Sequence, residues 1–308
     1  MSKKKKEKNQ TEKPKKNDLS EFYKKNYKKF LIIPLLFLIF AGFSIYYTIQ
    51  DDGTPINRDI SLKGGLSAVI TIDTPKSAQE ITNALQSNFP DYSYSVSETF
   101  QAGQRSGFII DTDLAEDDFK PFMENLLGTN LEFGENYGSN FISPTLSNTF
   151  FTQAILILLI SFVLISLVIF IYFREIIPSL ALIISIAFDL VVTVGVLNFM
   201  GVTISIAGIG ALLMIIGYSI DTDVLLANRL LKEFGFDYFE KAYGAFKTGM
   251  IMTGTTLVAG FAALILTNSV IIKEIVTIMI VGLLVDAIST WIQNTSILLW
   301  WLEKKNAK

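Results

Sequence analysis

Long apolar runs separated by short charged joints dominate this chain. Six runs stand out, at residues 30–50, 150–173, 176–199, 202–228, 250–268 and 275–302. About 20 apolar residues at 1.5 Å rise cross the ~30 Å hydrocarbon core, so each run predicts a transmembrane helix. The first is too long and too well flanked for a cleaved signal peptide.

Residues 51–149 have another texture. "LSAVITI" (66–72) predicts a strand, and a helix follows with Thr74 as its cap and Pro75 in its first turn. Ala78, Ile81, Ala84 and Leu85 share one face of that helix, which stops near Pro90. "YSYSVSETF" and "SGFIID" predict two strands around the turn "QAGQR". A second helix is expected at about 115–127, with Phe119, Phe122, Met123 and Leu126 at helical spacing, and "NLEF" starts a fourth strand. The order β-α-β-β-α-β is the ferredoxin-like pattern. The expected fold is therefore a polytopic α-helical membrane protein of six transmembrane helices, with an exterior α+β ferredoxin-like domain between helices 1 and 2.

Charge orients the whole. Of the 308 residues 50% are hydrophobic and 18% charged, and the charges are segregated. Residues 1–29 hold twelve lysines against four acids, whereas residues 51–149 hold five basic residues against fifteen acids. The positive-inside rule places the basic tail (1–29) in the cytoplasm, together with the C-terminal tail (303–308), and leaves 51–149 outside. Arg174, Arg229, Lys232, Lys241 and Lys247 agree, and Lys273 alone falls in a short outer loop. The run "KKKKEK" suits anionic lipid or ribosomal RNA, but a solvated tail that fixes topology explains it without a partner, and no nucleic acid is expected. The mixed aromatic and charged stretch 229–249 predicts an amphipathic helix at the membrane surface.

Several chemistries are excluded. Cysteine and histidine are absent, so there is no disulfide framework, thiol chemistry or Cys/His metal site, and proton handling falls to carboxylates, tyrosines or lysines. Asp111, Asp113, Asp117 and Asp118 lack calcium-loop spacing and are expected to be solvated surface. No Gly-rich phosphate loop appears. No enzyme activity, metal or cofactor is expected.

Four carboxylates remain inside spans: Asp189, Asp221, Asp223 and Asp286. An acid in hydrocarbon costs some ~2.5–3.5 kcal/mol on insertion scales, and no lysine or arginine lies deep enough to pair with these. They are candidate proton- or ion-relay groups. Asp189 has Ser185 four residues before it and Thr193 four after; Asp286 is followed by Ser289, Thr290, Gln293 and Asn294. These two acids lie ~20 and ~24 Å from the cytoplasmic ends of their spans, so they are placed to share one polar layer. Asp221 and Asp223 lie about 200° apart on an ideal helix, within ~7–11 Å of the cytoplasmic end. Asp221 shares a face with Tyr218 and Asn228, and Asp223 with Ser219; Thr222 and Arg229 are the remaining supporting residues. The plain alternative is helix-to-helix hydrogen bonding at ~0.6 kcal/mol per contact, with one acid of the pair reaching cytoplasmic water. Small residues, including Gly208 and Gly217 in span four and Gly254 and Gly260 in span five, predict that these two spans are neighbours.

Three stretches carry a resemblance. "GYSIDTDVLLANR" (217–229) resembles the span-four signature of the SecD/SecF protein-export family, part of the resistance-nodulation-division superfamily. "SLKGG" (61–65) is similar to the motif opening the exterior domain there, with Gly64 and Gly65 in place and Ser61 where many members carry aspartate. "ISPTLSNTF" (142–150) and "TGMIMTGTTLVAG" resemble the segments entering spans two and five. Aligned on Gly217-Tyr218-Ser219, the usual bacterial aspartate falls at Thr222, between Asp221 and Asp223, a form similar to the archaeal branch. The resemblance implies a SecF-type subunit that pairs with SecD, works with a SecY/SecE-type translocon channel on a secretory polypeptide within the lipid bilayer, and draws on a proton or sodium gradient. Two other functions compete: half of a small-molecule or ion secondary transporter, and a passive scaffold whose aspartates only join helices.

Overall fold

In the computed structural model, residues 26–101, 104–232 and 237–306 are described; most of the basic tail, part of the 229–249 stretch and the middle of the "QAGQR" turn lie outside them. Six helices are long and apolar enough to cross a membrane, running at their fullest Asn26–Asp51, Pro144–Phe173, Ile176–Phe199, Ile206–Lys232, Tyr238–Leu266 and Val270–Lys305. In chain order the elements are α1 (Ile32–Asp52), a short α2 (Ile60–Lys63), β1 (Gly65–Thr71), α3 (Ala78–Asn88), β2 (Tyr94–Gln101), β3 (Gln104–Thr112), α4 (Glu116–Leu127) and β4 (Tyr137–Ile142). There follow α5 (Pro144–Phe173), α6 (Ile176–Phe199), α7 (Ile206–Lys232), α8 (Tyr238–Leu266) and α9 (Val270–Ile288). A π-helical turn (Ser289–Asn294) then leads into α10 (Thr295–Asn306).

The four strands form one antiparallel sheet in the order β2-β3-β1-β4. Leu66, Ala68 and Ile70 of β1 pair with Thr112, Ile110 and Phe108 of β3, which puts one apolar face under α3 and α4. Ile81 and Leu85 of α3 and Phe119 and Met123 of α4 close that face, all fully buried. Each such side chain contributes some ~1.5–3 kcal/mol on leaving water, enough for the sheet to hold its own core.

Local details differ from the sequence expectation. The cap of α3 is Ser77, not Thr74: its hydroxyl accepts from the Glu80 amide while the Glu80 carboxylate accepts from the Ser77 amide. The fourth strand begins at Tyr137 rather than at "NLEF", because residues 132–137 turn back on Glu132 O through the amides of Glu135, Asn136 and Tyr137. Helix α5 starts at Pro144, six residues before the apolar run, since proline at the first helical position has no amide to satisfy. Residues 238–249 are the first turns of α8 and continuous with it, instead of a separate surface helix.

A glycine pair joins sheet to bundle. Gly64 and Gly65 have φ of 90° and 133°, and a Cβ on Gly64 would sit 2.6 Å from Pro144 Cα at the start of α5. No larger residue fits this close crossing. Ser44 of α1 donates to Gly195 O of α6 at 2.7 Å and ties the first span to the bundle.

Spans four and five lie against each other, as their small residues predict, but Gly208 and Gly260 face span six. A Cβ on Gly208 would meet Glu274 and Ile278, and one on Gly260 would meet Ile280 and Val276, all on α9. Gly217 and Gly254 have open space beside them. Spacing alone identifies a small face but not the helix lying against it.

Candidate functional site

Three of the four membrane-embedded aspartates converge. Asp189 (α6), Asp223 (α7) and Asp286 (α9) are buried at 0%, 0% and 1% exposure where their three helices meet. The fourth does not join them: Asp221 points away from this junction and is exposed, while Asp223, nearly half a turn round, faces inward.

Hydroxyl groups link the acids. Ser219 of α7 donates to Asp189 Oδ2 and Ser289 donates to Asp189 Oδ1, both at 2.5 Å. Ser185, one turn before Asp189, donates to Ser289 at 3.2 Å. Thr222 Oγ1 lies 3.1 and 3.2 Å from the two oxygens of Asp286 and 3.4 Å from Thr290 Oγ1. Thr290 Oγ1 lies 3.0 Å from Asp223 Oδ1 and 3.1 Å from Asp286 Oδ1. Asn294 donates to Asp223 Oδ1 at 2.7 Å.

The π-helical turn makes this convergence possible. On an ideal helix Asp286, Thr290 and Asn294 follow one stripe and Ser289 another, 100° away. The wider turn from Ser289 to Asn294 lets Ser289 reach Asp189 while Thr290 and Asn294 reach Asp223. Thr290 O keeps the backbone amide of Thr295 and also accepts from Thr295 Oγ1 at 2.8 Å. Insertions of this kind cost helix hydrogen bonds and concentrate at working sites.

Among the described residues, Asp223 Oδ2 and Asn294 Oδ1 are buried without a hydrogen-bond partner. A buried polar oxygen left unpaired costs on the order of 1–3 kcal/mol, which a proton on the carboxyl or a passing donor would relieve. The polar partners of the three carboxyls are hydroxyls and an amide. Such groups both give and take protons or align them, whereas an ammonium or guanidinium would hold each acid ionised.

The other sequence candidates lie elsewhere. Tyr218 is 37% exposed on the same side as Asp221. Asn228 accepts from Tyr172 at 3.2 Å and Arg229 donates to Thr248 at 3.0 Å, near the end of α7 remote from the sheet. Thr193 is buried but makes no hydrogen bond to Asp189. Gly64 and Gly65 belong to the joint with the sheet.

One cluster escaped sequence reasoning. Glu274, near the start of α9, accepts from Ser205 N at 2.7 Å and from Ser205 Oγ at 2.8 Å, at the head of α7. A glutamate one turn into a span reads from sequence as an ordinary end charge, so spacing gave no signal.

Comparison with known proteins fits this geometry. The profile described as "Protein export membrane protein SecD/SecF, C-terminal" matches residues 125–304. The chain is 35% identical over 285 residues to the protein-export membrane protein SecF of Methanolacinia petrolearia, covering 90% of this chain and 94% of that one. It is 31% identical over 288 residues to SecF of Methanothermobacter thermautotrophicus, with 92% and 95% covered. Among solved structures, the translocon-associated membrane protein SecDF of Thermus thermophilus superposes with a TM-score of 0.70 at 18% identity over 93% of this chain. That match covers 39% of the SecDF chain, and at this identity it speaks for the fold alone.

Proposed function

The chain belongs to the SecD/SecF protein-export membrane protein family, and from that premise we propose that its buried aspartate layer drives a SecF-type subunit by exchanging protons. The protein serves protein export in the membrane. On our reading it does so as one half of a complex with SecD, acting beside a SecY/SecE-type channel on the emerging polypeptide. The basic tail then lies in the cytoplasm and the sheet domain outside, in a ferredoxin-like arrangement supported by the strand order β2-β3-β1-β4.

One observation carries the proton reading: a single threonine hydroxyl lies between two carboxyls. Thr290 has one proton to give, yet its oxygen is within hydrogen-bond distance of Asp223 Oδ1 and Asp286 Oδ1. With both acids ionised, one contact opposes a hydroxyl lone pair to a carboxylate oxygen. With a proton on Asp286, the chain of donors is unbroken, from Asp286 through the Thr290 hydroxyl to Asp223. Reversing every bond moves the equivalent of one proton from Asp286 to Asp223. Ser219 and Ser289 hold Asp189 beside this pair.

Changing the charge in a buried layer alters which packing of α6, α7 and α9 is favoured, and a bundle with two packings passes that difference on. The test is export of a secretory reporter from cells carrying Asp223→Asn or Asp286→Asn at normal protein levels. Slowed export with intact assembly supports the relay. Unimpaired export in both variants would leave the layer a mere joint between helices.

A further inference from the structure

The three-helix layer and the sheet domain are connected at a second level, about 26 Å along α7 by the rise from Thr222 to Ser205. There the root of the sheet domain, residues 55–64, is stitched to the bundle. Ile204 N donates to Asn57 O at 2.7 Å and Asp59 N to Ile204 O at 3.0 Å. Asn198, at the end of α6, donates to Pro55 O at 2.9 Å and accepts from Asn57 N at 3.2 Å. Ser61 Oγ accepts from Ile206 N at 3.3 Å, so the opening motif of the sheet domain caps the first turn of α7.

Glu274 brings α9 into the same joint. Its carboxylate takes both the amide and the hydroxyl of Ser205, while Ser205 Oγ accepts from Ala207 N and Gly208 N at 3.1 and 3.3 Å. A negative group here also suits the positive end of the 27-residue α7. Between this joint and the aspartates, α7 and α9 are in close contact. A Cβ on Gly208 would collide with the Glu274 carboxylate, and one on Gly282 would collide with Ile215. A pair packed this closely moves as a unit or shears in discrete steps, and does not absorb a displacement locally.

We propose that Glu274 is a positioning residue that carries a packing change at the Asp189–Asp223–Asp286 layer to the sheet domain, by holding the heads of α7 and α9 together at the root on which that domain stands. The joint rests on the proton reading above for its input, but its geometry is separate from the relay. Removing Glu274 leaves the aspartate layer in place and frees α9 from the root.

The chain has no native cysteine, so a pair of spin labels reports cleanly. Labels at Ser87→Cys on α3 and Leu284→Cys on α9, both exposed, measure the distance from sheet domain to bundle in the full chain in lipid nanodiscs. Asp223→Asn, which removes the charge but keeps the shape, is expected to shift the modal distance by about 2 Å. The shift should persist in Glu274→Gln, which keeps an acceptor for Ser205 N, and vanish in Glu274→Ala. Gly208→Ala, which displaces the carboxylate without removing it, should also abolish the shift and guards against misfolding of the alanine variant. A shift of undiminished size in both Glu274→Ala and Gly208→Ala would overturn the joint while leaving the relay standing. Absence of any shift with Glu274 intact would overturn the relay and, with its input, the joint.

Discussion

Asn294 donates its amide to Asp223 Oδ1 at 2.7 Å, and this pair, 71 residues apart in sequence, closes the side of the aspartate layer nearest α10. Both residues are fully buried. Asn294→Ala strips the charge-capable oxygen of its shortest donor, and a loss of about 1–2 kcal/mol is expected. Reversible unfolding in mixed detergent micelles measures it; a change near zero would show that the contact carries no energy.

Asp221 and Asp223 separate the relay from mere acidity of the span. Asp221→Asn should leave export near the native rate, because that side chain is outside the layer. Asp223→Asn should slow export about tenfold, the effect of ~1.4 kcal/mol on a barrier. Pulse-chase of a secretory reporter gives both rates, and equal effects would remove the distinction on which the site is built.

That distinction marks where the sequence stops being legible. Span lengths, the texture of residues 51–149 and the polar stripes after Asp286 all follow from periods of 3.6 and 2, which act within one element. Two aspartates 200° apart look alike until the neighbour of α7 is known, and only tertiary packing supplies that neighbour. The π-helical turn is hidden for the same reason, since its lost helix bonds are repaid by Thr295 and by contacts to α6 and α7. Thr74 lost the cap to Ser77 because the reciprocal bond from Glu80 reaches the nearer residue. The strand order of the sheet domain, by contrast, follows from the element order once the helices are required to cover one face.

Asp111, expected from the sequence to be solvated surface, is instead half-buried in the sheet domain and gives a pH dependence. Burial pushes its carboxyl up to about 6, and nearby Asp59 pushes the same way, against the opposing influence of the neighbouring Ser67 hydroxyl. A carboxyl raised in the folded state favours the fold at low pH, fully below its ordinary value of 3.8, and that contribution is lost as pH rises through about 6. The β1 and β3 amides should therefore exchange faster at pH 7.5 than at pH 5 after correction for intrinsic rates, by an opening free energy of roughly 1–2 kcal/mol. Asp111→Asn should flatten this dependence and protect those amides at the higher pH. An unchanged slope in the variant would assign the effect to another group.

Gly64→Ala tests the crossing of sheet root and α5. The added Cβ would lie 2.6 Å from Pro144 Cα at a φ of 90°, so both space and backbone oppose it. A loss of more than about 2 kcal/mol is expected, read as a lower melting temperature of the purified chain in detergent. Gly128, whose Cβ would meet nothing within 4 Å at a φ of 68°, supplies the control for backbone strain alone.

Infrared difference spectroscopy across pH reaches the aspartate layer most directly. Native protein, Asp223→Asn and Asp286→Asn, each in lipid, are compared over the carboxyl stretching region between about pH 5 and 9. Proton exchange through the layer predicts a carboxyl band that rises and falls with pH in the native chain and is lost or displaced in each variant. Spectra showing all three aspartates ionised throughout that range would contradict it.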